Sequence, residues 1–450
     1  MAGTAPAAKS VMRRRIESVL HLMTGNVGNA FVMIGSIALA TRALGPEAFG
    51  ILAMGLAVGR VCERIVRFES WQPLVRYVAS EEGASDPERL SRLYLFGLIL
   101  DVIGAVVAAL LSMVVALALV PLFDFPAELV TVVAIYAFAI LLNLRGMASA
   151  VLRMAGMFRT MAYIVFVAGF LRLLLAFIFF LAGSGLEVFM AVWTVSQIVD
   201  ALLFNYIAFR QLSEQGTPSP LRARVGNLRR DFPGFLGFAF TTNASSALRT
   251  ITHEADTLIV GALTDSSSAG FYHLAKRMAK VAMQCGEMIQ MVIYPDLARM
   301  WADRVRSDFR KTILGVQALL AGIIGAILVG TILLGKPLIA FAFGVAFTPA
   351  YAILVAHLVA VLLILHSAPS RSALLAMNRP TYVLATAAVS TVVFLAVAMH
   401  AIPIYGAIGA SYAHIAFGAL TAVLLDLALW RQLHLRDSPA ERSDRLEAGS

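Results

Sequence analysis

The sequence predicts an all-α, polytopic membrane protein of twelve transmembrane helices, and three observations carry that expectation. Hydrophobic residues make up 60% of the 450 and charged residues only 14%, where a soluble chain carries about 25% charged. Apolar runs of about 20 residues or more, the length needed to cross a bilayer, recur along the whole chain. The connections between those runs alternate between basic and uncharged, as the positive-inside rule requires of a multi-pass chain. Mean hydropathy is +0.82, and Pro and Gly are spread through the apolar runs, as membrane helices tolerate.

Residues 1–17 form a basic tail with Lys9, Arg13, Arg14 and Arg15. The first apolar run, 18–41, has no small-residue cleavage site after it and is read as a retained span, not a signal peptide. Further runs follow at 49–78, 91–120, 127–152, 160–183 and 187–210, which completes an N-terminal six-helix lobe over 18–210. The segment 211–231, QLSEQGTPSPLRARVGNLRRD, is the most polar internal stretch and reads as a cytoplasmic linker. A second six-helix lobe, 232–431, holds runs at 233–262, 268–296, 311–334, 350–377, 381–400 and 405–431, and a charged tail occupies 432–450.

The basic connections include Arg76, Arg89 and Arg92, then Arg153 and Arg159, the linker, the stretch from Arg299 to Lys311, and Arg379. The intervening turns are nearly bare of Lys and Arg, apart from Arg42 and Lys336. Both termini are therefore expected in the cytoplasm of an inner-membrane protein. The outer turns are short, leaving no room for a folded outer domain or for the large outer loop of a membrane glycan polymerase. The net charge of +9 follows from the inner-side arginines, so no nucleic acid is expected as a partner. Cys62 and Cys285 stand far apart inside spans, a spacing that suits neither a metal site nor a disulfide framework. No cofactor, metal or catalytic residue is expected.

The two halves look related at a shift of about 220 residues, the kind of internal repeat that transporters use. TRALGPEAFGIL (41–52) aligns with VGALTDSSSAGFY (260–272), WQPLVRY (71–77) with IYPDLAR (293–299), and LRMAGMFRTMAY (152–163) with LLAMNRPTYVLA (374–385).

Polar residues concentrate in the first two spans of each half. Read as one helix, Leu56–Val78 stacks Arg60, Arg64, Arg67 and Trp71 on one face, with Glu63 free to pair with Arg60 or Arg67. Its counterpart, the eighth span, carries His273, Arg277, Lys280, Gln284 and Glu287 as a stripe, with Lys276 alongside. The seventh carries Asn243, Ser246, Arg249, His253 and Asp256, with Glu254 adjacent, and the first carries Asn26 and Asn29. A charge at the centre of a membrane helix costs about 2.5–3.5 kcal/mol on insertion scales, so these faces must meet water, each other or a charged cargo. Arg60, Arg64, Arg249, Arg277 and Lys280 are the candidate binding residues of a cationic chamber for an anionic cargo, since guanidinium grips phosphate oxygens in pairs. Glu63, Glu254, Asp256 and Glu287 are candidates for ion coupling or charge balance. Arg145 and Arg371, near the inner ends of their spans, are expected to meet headgroups, and Asp200 to pair with Arg172. The histidines read as isolated, and Gly55-x-x-x-Gly59 as a close-packing motif.

LGPEAFGIL, LVRYVA, EADTLIVGALTDSSSAGFYHLAKR and IYPDLAR, in this order, resemble the oligosaccharide flippase, or polysaccharide biosynthesis, branch of the multidrug/oligosaccharidyl-lipid/polysaccharide exporter superfamily. The resemblance covers essentially the whole chain. It implies two six-helix lobes around a central V-shaped cavity that works by alternating access. The implied cargo is an oligosaccharide on a polyprenyl diphosphate, with membrane lipids, a proton or sodium ion and other polysaccharide-assembly membrane proteins as candidate partners. The sister branch of cation-coupled multidrug exporters often has an acidic residue in the first helix. Here the first span has only Glu17, at its inner end, and the extra C-terminal helices typical of peptidoglycan-precursor flippases are not expected.

Overall fold

The computed structural model describes residues 5–67, 70–81, 86–224, 226 and 228–436, with the side chains of 5–27, 80–81, 228–229, 242, 244–253, 285, 288, 291–292 and 434–436 outside that description. Both tails and Glu69 therefore lie wholly or largely outside the described residues. The described elements are helices: α1 (Ala5–Val66), α2 (Trp71–Glu81), α3 (Pro87–Phe123), α4 (Glu128–Leu142), α5 (Gly146–Met154), α6 (Phe158–Leu181), α7 (Leu186–Glu214), α8 (Leu228–Asp231), α9 (Phe235–Leu263), α10 (Ser266–Ala302), α11 (Arg306–Phe343), α12 (Ala350–Ala376), α13 (Pro380–Tyr405) and α14 (Ala407–Arg436). No strand occurs among the described residues. Seven of these helices are long and apolar enough to cross a membrane, and the bent pair α4–α5 makes eight. Ten of the twelve apolar runs read from the sequence fall on a single described helix, and the other two, 49–78 and 127–152, are each divided between two helices. Large apolar side chains such as Leu110, Phe170, Leu333 and Phe341 stand exposed along them, as lipid-facing surface requires.

The first two expected spans form one 62-residue helix with a kink at Gly45, where φ is 72°. Glycine takes that left-handed backbone without a Cβ clash, and Pro46 restarts the helix where its missing N–H costs nothing. Just beyond, a Cβ on Gly50 would fall 1.7 Å from the Ser266 carbonyl oxygen, and one on Gly270 would fall 2.7 Å from the Pro46 carbonyl. Glycines that the repeat alignment pairs thus let two backbones touch.

The expected single helix across Leu56–Val78 is corrected. α1 ends at Val66, Arg67 is non-helical, and α2 begins at Trp71. The fourth span is likewise broken into α4 and α5, bent by 41°. Irregular backbone at membrane depth survives only when its polar groups are satisfied by protein, and here Arg67 at the break and side chains from three helices do so. Arg67 donates to the Asn143 carbonyl, Asn205 of α7 donates to the Leu144 carbonyl at 2.9 Å, and Asn243 of α9 donates to the Ile65 carbonyl at 3.1 Å. Asn243 was expected on a chamber wall; it serves instead as a cap for the end of α1. Asp101 of α3, fully buried, accepts from Ser70 Oγ at 2.6 Å and from the Met147 N–H at 2.8 Å. It therefore caps the first turn of α5 and ties both breaks together.

The chain divides into two compact units, 1–270 and 271–450. In the first, α1 packs along α3, α4, α6 and α9, and α4 along α7. Gly55 and Gly59 admit α4: a Cβ on them would sit 2.4 Å from Val132 and 2.4 Å from the Tyr136 ring. Gly59→Ala is therefore expected to lower thermal stability in detergent by about 1–3 kcal/mol, the cost of overpacking. Gly315→Ala, which meets nothing within 4 Å, should leave the melting midpoint in place. The second unit is built on α14, which packs along both α12 and α13, while α11 packs along α12.

Candidate functional site

The two helix breaks open onto a cavity of about 420 Å³ in the first unit. From α1 come Arg60, Glu63 and Arg64, followed by Arg67 and Trp71 at the break; Glu254 comes from α9. The opposite wall is Tyr136 and Asn143 of α4, Arg145, Gly146 and Ser149 at α5, and Gln197 of α7. Among the described residues of this lining, four arginines stand with two glutamates, an excess of two positive charges.

The pairing agrees with the sequence expectation at Glu63, which takes Arg67 of its two candidate partners, and differs from it elsewhere. Glu63 bonds Arg67, one helical turn on, and also accepts from Asn143 Nδ2 at 2.9 Å. Arg60 reaches across to Glu254 of α9 at 3.1 Å. Asp200 pairs with Arg145, not with Arg172. Arg145, expected at headgroups, instead sits in the cavity wall with its guanidinium 4.0 Å over the Phe204 ring. Arg172 lies over Trp193 at 5.5 Å. The physical reason is rotation: where a broken helix re-aims its residues, side chains far apart in sequence meet. Of the two excess charges, Asp200 behind the wall balances one.

Polar groups complete the lining. Tyr136 donates to Gln197 Oε1 at 2.9 Å, and Arg153 stacks on Trp71 at 4.2 Å, fixing the indole. Low-dielectric walls strengthen the field of such a cluster, so the cavity favours an anion with hydroxyl-rich or planar attachments.

Of the residues expected to form the site, the structure brings Arg60, Arg64, Glu63 and Glu254 together. The side chain of Arg249 lies outside the described residues. Asp256 is buried and accepts from the Thr257 N–H at 2.7 Å. Arg277, Lys280 and Glu287 stand on α10 in the second unit, where Arg277 bonds His273 at 3.3 Å and Lys280 and Glu287 are exposed. Arg371 bonds Gln290 at 3.0 Å. The histidines are not isolated: His357 and His414 meet edge to face with ring centroids 4.9 Å apart, and His366 bonds Asp426 at 3.1 Å. Tyr136, Gln197, Asn143 and Arg145 were not placed at the site from sequence. Each is a polar group within a mainly apolar run, which is itself a signal of intramembrane function.

The family model for polysaccharide biosynthesis proteins matches residues 39–352. The chain belongs to that family. The matched stretch contains every residue of the cavity wall. The inner membrane protein YghQ of Escherichia coli K12 is 24% identical over 353 residues, covering 76% of this chain and 96% of its own. Among solved structures, the lipid II flippase MurJ in an inward closed conformation aligns with a TM-score of 0.71 at 16% identity, over 92% of this chain and 87% of MurJ. An inward-facing multidrug resistance MATE transporter of the MOP superfamily aligns at 0.67 and 16% identity, over 92% and 94%. A further MOP transporter, from Pyrococcus furiosus, aligns at 0.61 and 13%, over 93% and 95%, and its description assigns it a binding pocket of reverse polarity. This polysaccharide biosynthesis protein is thus a multi-pass membrane protein with the MOP transporter fold.

Proposed function

We propose that this polysaccharide biosynthesis protein is a flippase that moves a polyprenyl-diphosphate-linked oligosaccharide across the inner membrane, with both termini cytoplasmic. The observation that carries the reading is the cationic cavity, in which four arginines outnumber two glutamates. A diphosphate supplies the oxygens that guanidinium groups grip, and the first sugar suits Trp71, Tyr136 and Gln197. The volume lies in the range of small-molecule pockets, so the cavity takes the head of the cargo while the lipid tail stays in the bilayer. Glu63 and Glu254 hold Arg67 and Arg60 in place, and Arg277 and Lys280 are the phosphate contacts proposed for the second lobe. The lobes 18–210 and 232–431 rock to expose the cargo alternately on each side.

A strain lacking the protein is expected to display no glycan at its surface. Restored Arg60→Gln or Arg277→Gln protein should support at least about tenfold less display, the loss of one charge-assisted contact, at unchanged membrane abundance. Full display from both variants would defeat the assignment. Single repeat units displayed by the deletion strain would instead mark a polymerase, and dye efflux lost without a glycan defect would mark a drug exporter.

A further inference from the structure

The second unit holds a polar cluster that the cargo reading does not use. Gln317 of α11, His366 and Ser370 of α12 and Asp426 of α14 converge inside apolar helices. Asp426 Oδ1 accepts from Ser370 Oγ and from Gln317 Nε2 at 3.3 Å, and its Oδ2 faces His366 Nε2 at 3.1 Å. Gln317 Nε2 also stands 3.2 Å from the His366 carbonyl and 3.1 Å from Ser370 Oγ. An ionised carboxylate only accepts, so His366 Nε2 carries its hydrogen toward Asp426 and Nδ1 is left as the place for a second proton.

Three features make this more than a tie between helices. His366 and Asp426 each lie ten residues before the C-terminal end of their helix, about 15 Å along it, where a charge must have a partner or a function. Their side chains remain 38% and 25% exposed, so the pair is not sealed inside the packed seam. Pro369, between His366 and Ser370, removes the backbone hydrogen bond to the Leu365 carbonyl, which leaves a weak turn at the site itself. The same α12–α14 seam carries the edge-to-face His357–His414 contact, nine residues or about 13 Å further along α12.

Other titratable groups on the surrounding helices are accounted for. Arg371 of α12 bonds Gln290. α10, whose Gly286 meets Leu365, brings Glu287 and Lys280. Those of α11 are terminal, from Arg306 to Lys311 and at Lys336; those of α13 are Tyr382, His400 and Tyr405. α14 adds Tyr412, His414 and Arg431, with His434 and Arg436 in its last turn, and α12 adds Tyr351 near its start.

We propose that the His366–Asp426 pair is a proton-binding site that couples proton uptake to the transport cycle. A proton on Nδ1 makes an imidazolium–carboxylate pair that draws α12 onto α14 at the Pro369 turn; its loss relaxes that contact. Sodium fits less well. The Gln317 amide nitrogen already occupies the point among three oxygens where a cation would sit, and imidazole is no ligand for a hard cation. The coupling, though not the proton binding, rests on the transport reading above.

Two measurements on the full chain test this. With ring-¹⁵N histidine in lipid nanodiscs, His366, assigned by the signal lost in His366→Gln, is expected to carry its hydrogen on Nε2 and to gain a second on Nδ1 when the sample is acidified. Asp426→Asn should change the tautomer by removing the carboxylate that Nε2 faces. A ring that takes up no second proton, or whose signal is the same in Asp426→Asn, overturns the site. In proteoliposomes, flipping of a fluorescent disaccharide on a polyprenyl diphosphate should accelerate up to about tenfold per pH unit of imposed gradient, the free energy of one proton. His366→Gln and Asp426→Asn should lose that acceleration and His400→Gln should keep it. Acceleration that persists in both site variants, or that follows a sodium gradient instead, overturns the coupling. A probe that the wild-type protein never flips counts against the cargo reading, and the histidine titration then judges the proton site alone.

Discussion

Arg64→Glu is expected to reduce surface glycan at least about a hundredfold, since each guanidinium–phosphate contact is worth about 1.5–3 kcal/mol and a repulsion replaces it. Among the described residues of the lining, the substitution turns four arginines against two glutamates into three against three, and with Asp200 behind the wall the cavity becomes net negative. Arg64 is half-buried in the wall near the end of α1, so the glutamate retains contact with water and the fold should persist. Arg64→Lys, which keeps the charge and loses the planar fork, should fall between the two. Immunoblots of membranes against glycan display separate transport from abundance; display at the wild-type level in Arg64→Glu would remove the cavity from the mechanism.

Asp101→Ala is expected to have the largest effect on stability. Ser70 Oγ and the Met147 N–H would both lose their acceptor in a site with no exposure, at about 1–3 kcal/mol for each unsatisfied group. The α1–α2 and α4–α5 breaks would come apart, and membrane abundance should collapse. Asp101→Asn retains one carbonyl acceptor and should recover part of the loss. Gly146→Ala attacks the same knot sterically, because its Cβ would fall 2.0 Å from Ser70 Oγ and 2.3 Å from Asp101 Oδ1. Wild-type abundance and melting in Asp101→Ala would show that the breaks are held by something else.

The helical, membrane-spanning character was legible because apolar length is a local property of the sequence. The breaks were legible only in part. Pro73 falls in the first turn of α2, where a proline is tolerated, and so marked a helix start that an unbroken 49–78 span ignores. Gly146 offered a weaker hint at α5. The Arg60–Glu254 and Arg145–Asp200 pairs had no local signal, since they join residues 194 positions apart in one case and on helices separated by a whole span in the other. Helical spacing put Arg60, Arg64 and Glu63 on neighbouring faces of α1, and the structure brings them to one wall. It could not supply Tyr136 or Gln197 of the opposite wall: α4 brings Tyr136 close at Gly59, and Gln197 of α7 accepts from Tyr136.

The central claim is that an anionic diphosphate head occupies the cavity beside Arg64, and Trp71 in its wall provides the most direct readout. With Trp193, Trp301 and Trp430 replaced by Phe, the emission of Trp71 is expected to change saturably on adding farnesyl diphosphate. The change should vanish in Arg64→Glu and should not occur with farnesol. An equal response to farnesol, or none to the diphosphate, would contradict the account.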